Sequence, residues 1–162
     1  MALWIASPDF THNGSIPTRF TCEGADVSPA LEWHDVPAGT NSFALIVADP
    51  DVPDPANPQR TWVRWVLYNL PATALGLPEA ASLATLPAGT GVGLNDWQRA
   101  DYGGPCPPIG RHRYFFKLHA LDRALDDLNE LTKAQLERAM EGHIVERAEL
   151  IGTYIKAGRG TP

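Results

Sequence analysis

The chain has 162 residues, of which 44% are hydrophobic and 20% are charged, so it can bury a core without needing a metal to hold it. Its 15 prolines and 14 glycines indicate many turns and argue against a helical bundle. The 13 basic and 19 acidic side chains give a net charge of −6 without any cluster of Lys and Arg, which argues against nucleic-acid binding.

Short segments of β-branched, aromatic or alternating residues, separated by Pro, Gly and Asn, predict a mainly β protein. In chain order the predicted strands are residues 3–5, 19–22, 31–33, 43–48, 62–69, 113–120 and 148–155. The run 43–48 is continuously apolar, which predicts a strand buried on both faces. In the strand 62–69, alternation places Arg64 on the face of Trp62, and Val63 with Trp65 on the other face.

One helix is well marked near the end of the chain. Thr132 and Gln135 have the spacing of a capping box, and Gly142 is the expected C-cap. A shorter helical turn is predicted near residues 125–128. The segments 49–60 and 87–111 are irregular and hold eight of the 15 prolines, and long ordered loops on a β scaffold are usually functional.

Residues 1–5 lack the basic and apolar regions of a secretory signal, and no stretch approaches the length of a membrane span. We therefore expect a cytoplasmic protein without a transmembrane segment. Cys22 and Cys106 lack a CxxC spacing and do not form a zinc site on their own. Two reduced thiols are the favoured interpretation for the cytoplasm, and one long-range disulfide is the alternative.

Asp49-Pro50-Asp51 presents two carboxylates on a stiff backbone. Such a pair could hold an ammonium group, orient a histidine or ligate a hard cation. The alternative, which is favoured for an isolated Asp-Pro-Asp, is an Asx-turn in which each aspartate caps its own loop.

Arg64 is unusual in so apolar a strand, because a guanidinium buried without a partner is very costly. It could bind phosphate or carboxylate with two parallel hydrogen bonds. An internal ion pair, or a side chain that reaches the surface, would explain it equally well.

The loop 103–108 combines two glycines with three prolines, so it is rigid and its backbone is open to a ligand. If the following strand begins near His112, then His112 and Tyr114 project from the same face. Together they would supply two hydrogen-bonding groups, one of which titrates near neutral pH. The alternative is a core tyrosine beside a hydrogen-bonded histidine. No nucleophile elbow, phosphate-binding loop or zinc-protease motif occurs in the sequence.

Three segments follow one another in an order that is typical of one family. They are Asp-Pro-Asp-Val-Pro at 49–53, the strand from Trp62 to Pro71, and GGPCPPIGRHRY at 103–114. Residues 20–24, 28–33 and 148–154 extend the similarity to nearly the whole chain. On these residues the chain resembles the phosphatidylethanolamine-binding protein family, specifically its prokaryotic Raf kinase inhibitor-like branch.

The resemblance implies an antiparallel β-sandwich of Greek-key type with a few peripheral helices, as a single domain over residues 1–162. It also implies a small pocket at one end of the sandwich, without a cofactor or metal, that binds phosphate or a phospholipid head group. Asp49, Asp51, His112 and Tyr114 match the family's pocket positions, and the loop with Gly104, Pro105 and Pro107 forms the pocket wall. A homodimer is expected by analogy.

At position 64 the family usually has histidine, so Arg64 is a departure. It could neutralise Asp49 or Asp51 in an internal ion pair, which is the favoured interpretation, or it could strengthen phosphate binding.

The resulting hypothesis is a non-enzymatic module that binds a small phosphate-bearing or other anionic ligand. Asp49 and Asp51 would orient donors or hold an ammonium group, while His112 and Tyr114 would hydrogen-bond the phosphate. Because eukaryotic members of the family inhibit kinases and other members inhibit serine proteases, an inhibitor of a kinase or protease is the alternative. A metal-assisted hydrolase that uses Asp49, Asp51 and His112 is a third hypothesis.

Overall fold

The structure is a computed structural model that describes residues 2–126 and 130–156. The strands are β1 (Trp4–Ala6), β2 (Gly14–Ser15), β3 (Leu31–His34), β4 (Ser42–Val52), β5 (Arg60–Pro71), β6 (Gly76–Leu77), β7 (Gly91–Val92), β8 (His112–Leu121) and β9 (Ile144–Tyr154). A 3₁₀ turn (Thr18–Phe20) and the helix α1 (Lys133–Met140) complete the elements of this part of the chain.

The strands form two sheets, with the order β1-β3-β6 in the small sheet and β2-β9-β8-β4-β5-β7 in the large one. All pairs are antiparallel except β2 with β9. One apolar core packs between the sheets, and a second lies between the outer face of the large sheet and α1. The predicted mainly β sandwich is therefore confirmed, although one α-helix, rather than a few, lies within the described residues.

The central strand β4 is buried on both faces over residues 43–48, as its apolar sequence predicts, because β5 and β8 flank it and a core covers each face. It continues to Val52, so the first irregular segment is shorter than expected. The last strand is also longer than predicted and runs over Ile144–Tyr154.

The strand predicted at 19–22 is wrong. Thr18–Phe20 forms a 3₁₀ turn in which the Thr21 backbone N–H and hydroxyl both donate to the Thr18 carbonyl, at 3.0 Å and 2.8 Å. These local hydrogen bonds compete with strand pairing, as Thr often does at turns. The helical turn predicted at 125–128 extends outside the described residues.

A β-bulge interrupts β5 at Arg64. Trp65 pairs with Val47 and Val63 pairs with Ala48, so Arg64 is an extra residue on its strand. Because a bulge resets the alternation, Val63 joins the core under α1 while Trp65 packs between the sheets. The prediction that Val63 and Trp65 share a face was therefore wrong, and the bulge aims Arg64 toward Tyr114.

The capping box predicted for the helix is confirmed. The Thr132 side chain accepts from the Gln135 N–H at 3.2 Å, and the Gln135 side chain accepts from the Thr132 N–H at 3.0 Å. The C-cap is Glu141, and Gly142 follows it with a positive φ of 81°.

We expect Thr132→Ala to lower the free energy of unfolding by about 1 kcal/mol, because the substitution leaves the Gln135 N–H without its acceptor. Urea denaturation would measure the change. Thr132→Ser keeps the hydroxyl and is the matched control, so an equal loss in both variants would contradict a capping effect.

Candidate functional site

Asp49 and His112 form a buried ion pair where β4 and β8 meet the loops at one end of the sandwich. His112 Nδ1 lies 2.6 Å from Asp49 Oδ2, and both side chains are fully buried. His112 Nε2 lies 3.0 Å from the Pro53 carbonyl and 2.9 Å from the Ile109 carbonyl. Since carbonyl oxygens only accept, Nε2 carries a proton. Burial alone would lower the pKa of His112, but the hydrogen bond and charge of Asp49 raise it above its ordinary value, and the acceptors at both ring nitrogens favour the imidazolium.

Asp49 also closes its own turn, because its Oδ1 accepts from the Asp51 N–H at 2.8 Å. The Asx-turn and the histidine-orienting role are therefore both present at Asp49. A direct bond from His112 to a phosphate is not available in this arrangement, since each ring nitrogen already has an acceptor.

Asp51 belongs to a different contact. Its carboxylate accepts from the Arg113 N–H and Nε at 2.9 Å and 3.0 Å through Oδ2, and from Nη2 at 2.8 Å through Oδ1. Burial alone would raise the pKa of Asp51, but these hydrogen bonds hold it below its usual value. Arg113 follows His112 on β8, so Asp49 and Asp51 are paired with neighbouring residues of that strand.

Arg64 is 4% exposed, and its guanidinium lies between aromatic rings. Its Nη1 donates to the Gly104 carbonyl. The guanidinium carbon lies 4.9 Å from the centre of the Trp97 ring and 5.3 Å from that of Tyr114. Burial lowers the pKa of this group, while Tyr114 and Asp49 raise it, and a guanidinium keeps its proton in proteins.

No ion pair involves Arg64 within the described residues, and its Nε has no hydrogen-bond partner there. The pair with Asp49 or Asp51 that the sequence favoured is therefore not formed, because His112 and Arg113 take those carboxylates. The result is a buried positive charge with an unused donor.

Tyr114 is fully buried, and its hydroxyl is a second polar atom without an acceptor in the described residues, since the Cys106 backbone N–H near it can only donate. Its ring stacks on that of His112, with the centroids 6.4 Å apart, so these two side chains do share a face as predicted. Burial raises the pKa of the phenol strongly, whereas the Arg64 charge and the Cys106 backbone lower it. Tyr114 is thus a neutral hydroxyl beside the Arg64 guanidinium.

The glycine-proline loop closes this site from a third side. Gly104 supplies the carbonyl bound by Arg64, and its N–H donates to Asp26 Oδ1 at 2.8 Å. A Cβ at Gly104 would lie 2.2 Å from the Phe20 carbonyl oxygen, so only glycine fits there. Pro105 and Pro107 are buried in the same loop.

Cys22 and Cys106 form a disulfide, with their sulfurs 2.09 Å apart. The expectation of two reduced thiols was therefore wrong. Beside this bond, the Cys22 N–H donates to the Pro105 carbonyl at 3.1 Å, so the loop is fastened to the turn after the 3₁₀ segment. The 3₁₀ turn replaces the predicted strand and brings Cys22 to this position.

Two cavities of the described part of the chain lie away from these side chains. A groove of about 1160 Å³ lies between α1 and the outer face of the large sheet, and a cleft of about 360 Å³ lies beside Tyr102. Neither is lined by Asp49, Arg64, His112 or Tyr114. These four side chains converge, but the atoms left without partners are closed off from solvent.

Over residues 2–126 and 130–156, no group of three His, Cys, Asp or Glu side chains is arranged to hold a metal. The same residues contain no helix long and apolar enough to cross a membrane.

Sequence reasoning missed Trp97, which is 38% exposed and covers Arg64. It lies in the irregular segment 87–111 that was singled out as functional, but its partner is 33 residues away along the chain. Nothing in the local pattern pairs the two residues. Of the predicted site residues, the structure brings together Asp49, Arg64, Gly104, His112 and Tyr114, while the Asp51 carboxylate is bound by Arg113.

Comparison with known sequences identifies the family. The sequence model described as phosphatidylethanolamine-binding protein matches residues 6–155. A UPF0098 protein of Chlamydia pneumoniae is 45% identical over 94% of this chain and 99% of its own length. One from Methanothermobacter thermautotrophicus is 44% identical over 90% of this chain and 93% of its own.

Comparison with solved structures points to the same family. A protein described as a homologue of phosphatidylethanolamine-binding protein, from Chlamydia trachomatis, superposes with a TM-score of 0.87 at 41% identity, over 96% of this chain and 98% of its own. YbcL from E. coli superposes with a TM-score of 0.86 at 33% identity, over 96% of this chain and 100% of its own. The family model matches residues 6–155, and the assignment of residues 1–162 to one domain stays a prediction. The chain belongs to the phosphatidylethanolamine-binding protein family.

Proposed function

We propose that the chain is a non-enzymatic binding module that holds a small phosphate-bearing or other anionic ligand at Arg64 and Tyr114. The observation that carries the proposal is the pair of buried donors without partners, Arg64 Nε and the Tyr114 hydroxyl, beside each other at one end of the sandwich. Buried polar atoms are rarely left unpaired, so each such atom needs an explanation.

The charge balance of the site favours an anion. Asp49 and His112 neutralise each other, and Asp51 is neutralised by Arg113. Arg64 remains as a buried cation without an ion pair in the described residues, on which only the more distant charges of Asp49 and Asp26 act, and a buried charge without an ion pair costs several kcal/mol. A bound phosphate or carboxylate would supply the missing charge and accept from both donors.

The remaining predicted residues take supporting roles in this proposal. The His112 imidazolium supports the ring of Tyr114, and Gly104 fixes Nη1 of Arg64, so that Nε is left for the ligand. Pro105 and Pro107 stiffen the wall. Asp51 acts only through the Arg113 contact that holds the end of β4 against β8.

Titration calorimetry with inorganic phosphate and phosphoethanolamine tests the proposal. We expect Arg64→Gln and Tyr114→Phe each to weaken binding roughly 10- to 100-fold, because a hydrogen bond to a charged group contributes about 1.5–3 kcal/mol. Tyr114→Phe removes a hydroxyl that has no acceptor in the described residues, so the loss of stability should be small. Arg123→Gln, at an arginine that is 49% exposed and contacts none of these residues, is the matched control. Equal phosphate affinity in wild type and Arg64→Gln would refute the site.

The inhibitor role stays a prediction. The carboxypeptidase Y inhibitor, solved in complex with its cognate proteinase, superposes with a TM-score of 0.55 at 17% identity, so it supports the fold alone. An inhibition assay with the anion site occupied and empty would separate the two roles, since an inhibitor that acts through its surface loops should not respond to phosphate. The homodimer likewise stays a prediction, which sedimentation analysis would test.

A further inference from the structure

Trp97 covers the guanidinium of Arg64, one of the two donors without an acceptor. Arg64 is 4% exposed and Tyr114 fully buried, whereas Trp97, in contact with Arg64, is 38% exposed. The Arg64 Nε and the Tyr114 hydroxyl are themselves closed off from solvent. An anion can therefore reach them only after a covering group moves.

The Trp97 ring is held by packing contacts rather than by hydrogen bonds. It packs so closely on Gly103 that a Cβ there would lie 2.0 Å from ring atom Cζ3. The edge of Trp62 meets it with the centroids 5.7 Å apart at 77°. In the described part of the chain no hydrogen bond to the indole N–H is formed, so rotation of the ring breaks only packing and cation–π contacts.

The backbone beneath the ring is firmly braced. The buried Asn95 accepts from the N–H groups of Trp97 and Arg99 at 3.0 Å and 3.1 Å, and it donates to the Asp101 carbonyl at 2.8 Å. The Gly103 N–H donates to the Arg64 carbonyl at 3.0 Å. Opening the loop would break these bonds, whereas turning the indole would not, so the side chain is the part that moves at least cost.

We propose that the Trp97 indole is a gate that controls the access of small anions to Arg64. With the ring on Gly103 the site is closed, and with the ring turned outward the Nε of Arg64 becomes accessible. The inference rests on the proposed anion site, but the gate itself can be tested without a ligand.

Two variants open the gate in different ways. Trp97→Ala removes the ring, and Gly103→Ala keeps it but places a methyl group in the space that it occupies. The probe is phenylglyoxal, which modifies accessible guanidinium groups, and peptide mass spectrometry follows Arg64 beside the exposed Arg19 as an internal reference. We expect wild-type Arg64 to react at least about tenfold more slowly than Arg19, and both variants to accelerate it at least about fivefold.

Trp4→Ala, at an exposed tryptophan that stacks on His34 instead, should leave the rate unchanged. Equal rates at Arg64 and Arg19 in the wild type would overturn the gate, and so would variants that react at the wild-type rate. The free energy of unfolding of each variant gives the fraction of unfolded molecules. This fraction sets the rate at which phenylglyoxal would modify Arg64 through global unfolding alone. Acceleration no greater than this would also overturn the gate.

Stopped-flow binding of inorganic phosphate adds a second measurement. Association and dissociation should both become faster in Trp97→Ala, while the affinity changes less than about threefold, since a gate alters rates more than equilibria. Slower or unchanged association in Trp97→Ala would contradict the gate. If the wild type binds no phosphate, the proposed function fails, and the phenylglyoxal rates still decide whether Trp97 closes the site.

Discussion

The double variant Cys22→Ser and Cys106→Ser is expected to unfold with a free energy about 4–5 kcal/mol lower than that of the wild type. The disulfide joins residues 84 apart in sequence, and a crosslink of that span removes much of the conformational entropy of the unfolded chain. Cys22 is exposed and Cys106 is half-buried, so serine hydroxyls remain near water and the change measures mainly the crosslink. Urea denaturation of both proteins measures the difference.

Reduction of the wild type by a phosphine should reproduce the loss, and it should leave the double variant unchanged. Two free thiols found by Ellman's reagent in the unfolded, unreduced wild type would contradict the crosslink. Stability that does not respond to reduction would contradict its energetic role.

The disulfide also bears on where the protein is found. Stable disulfides are typical of oxidising compartments and rare in the cytoplasm. The cytoplasmic location expected from the sequence therefore stays a prediction, and the pairing of Cys22 with Cys106 argues against it. Determining the thiol state after rapid acid trapping of cells would test both together.

Strands and helix could be predicted where local sequence decides the structure. The apolar run 43–48 has no polar residue to place in water, so it could only be a central strand. The capping box at Thr132 specifies its helix start through two hydrogen bonds within four residues.

The candidate site was predicted less well, because its geometry depends on contacts between distant segments. The bulge at Arg64 exists only in the register between β4 and β5, which no single strand encodes. Asp51 was assigned to the pocket because it matches one of the family's pocket positions, but the sequence did not predict that Arg113 across the sheet holds its carboxylate through three hydrogen bonds. Trp97 could be recognised only after the loop had folded over Arg64.

In the proposed function, the selectivity of the site for negative charge would come from the charge of Arg64, which no ion pair neutralises. The protein as a whole carries a net charge of −6, so an anion meets an unfavourable field until it is close to the site. There, Asp49 and Asp51 are each matched by a cation, and Arg64 is a cation without an ion pair in the described residues, although Asp26 and Asp49 lie near enough to act on its charge. The proposed gate at Trp97 predicts that anions bind slowly. The burial of Arg64 predicts that they bind in a dry environment, where a charged hydrogen bond is strong.

Asp49→Asn is expected to lower the free energy of unfolding by about 3–5 kcal/mol at pH 6, because removing one partner leaves the buried His112 imidazolium without its counter-charge. The Asn side chain can still accept from the Asp51 N–H, so the turn is kept and the loss reports the ion pair. Asp54→Asn is the matched control, since Asp54 closes a similar turn at the Ala56 N–H and has no histidine partner there.

The change of the unfolding free energy with pH that His112 causes should have opposite signs in the wild type and in Asp49→Asn. In the wild type the folded-state pKa of His112 is raised above its unfolded value, so its stabilisation is complete below the unfolded pKa of about 6.5 and is lost as the pH rises through the folded-state pKa. In Asp49→Asn, burial without a counter-charge should lower that pKa, so stability should increase as the pH rises from 5 to 7. The limiting slope for one proton is about 1.4 kcal/mol per pH unit.

Comparing the two proteins at each pH cancels other groups, including His119, whose burial lowers its pKa to about 4. Urea denaturation between pH 5 and pH 9 measures both curves, and the ¹⁵N chemical shifts of the His112 ring report its protonation directly. Parallel curves, or a wild-type His112 that is neutral at pH 6, would show that the Asp49 carboxylate does not hold a charged imidazole. The proposed charge balance, with Arg64 as the cation left for a ligand, would then have to be abandoned, because an unpaired Asp49 would repel the anion.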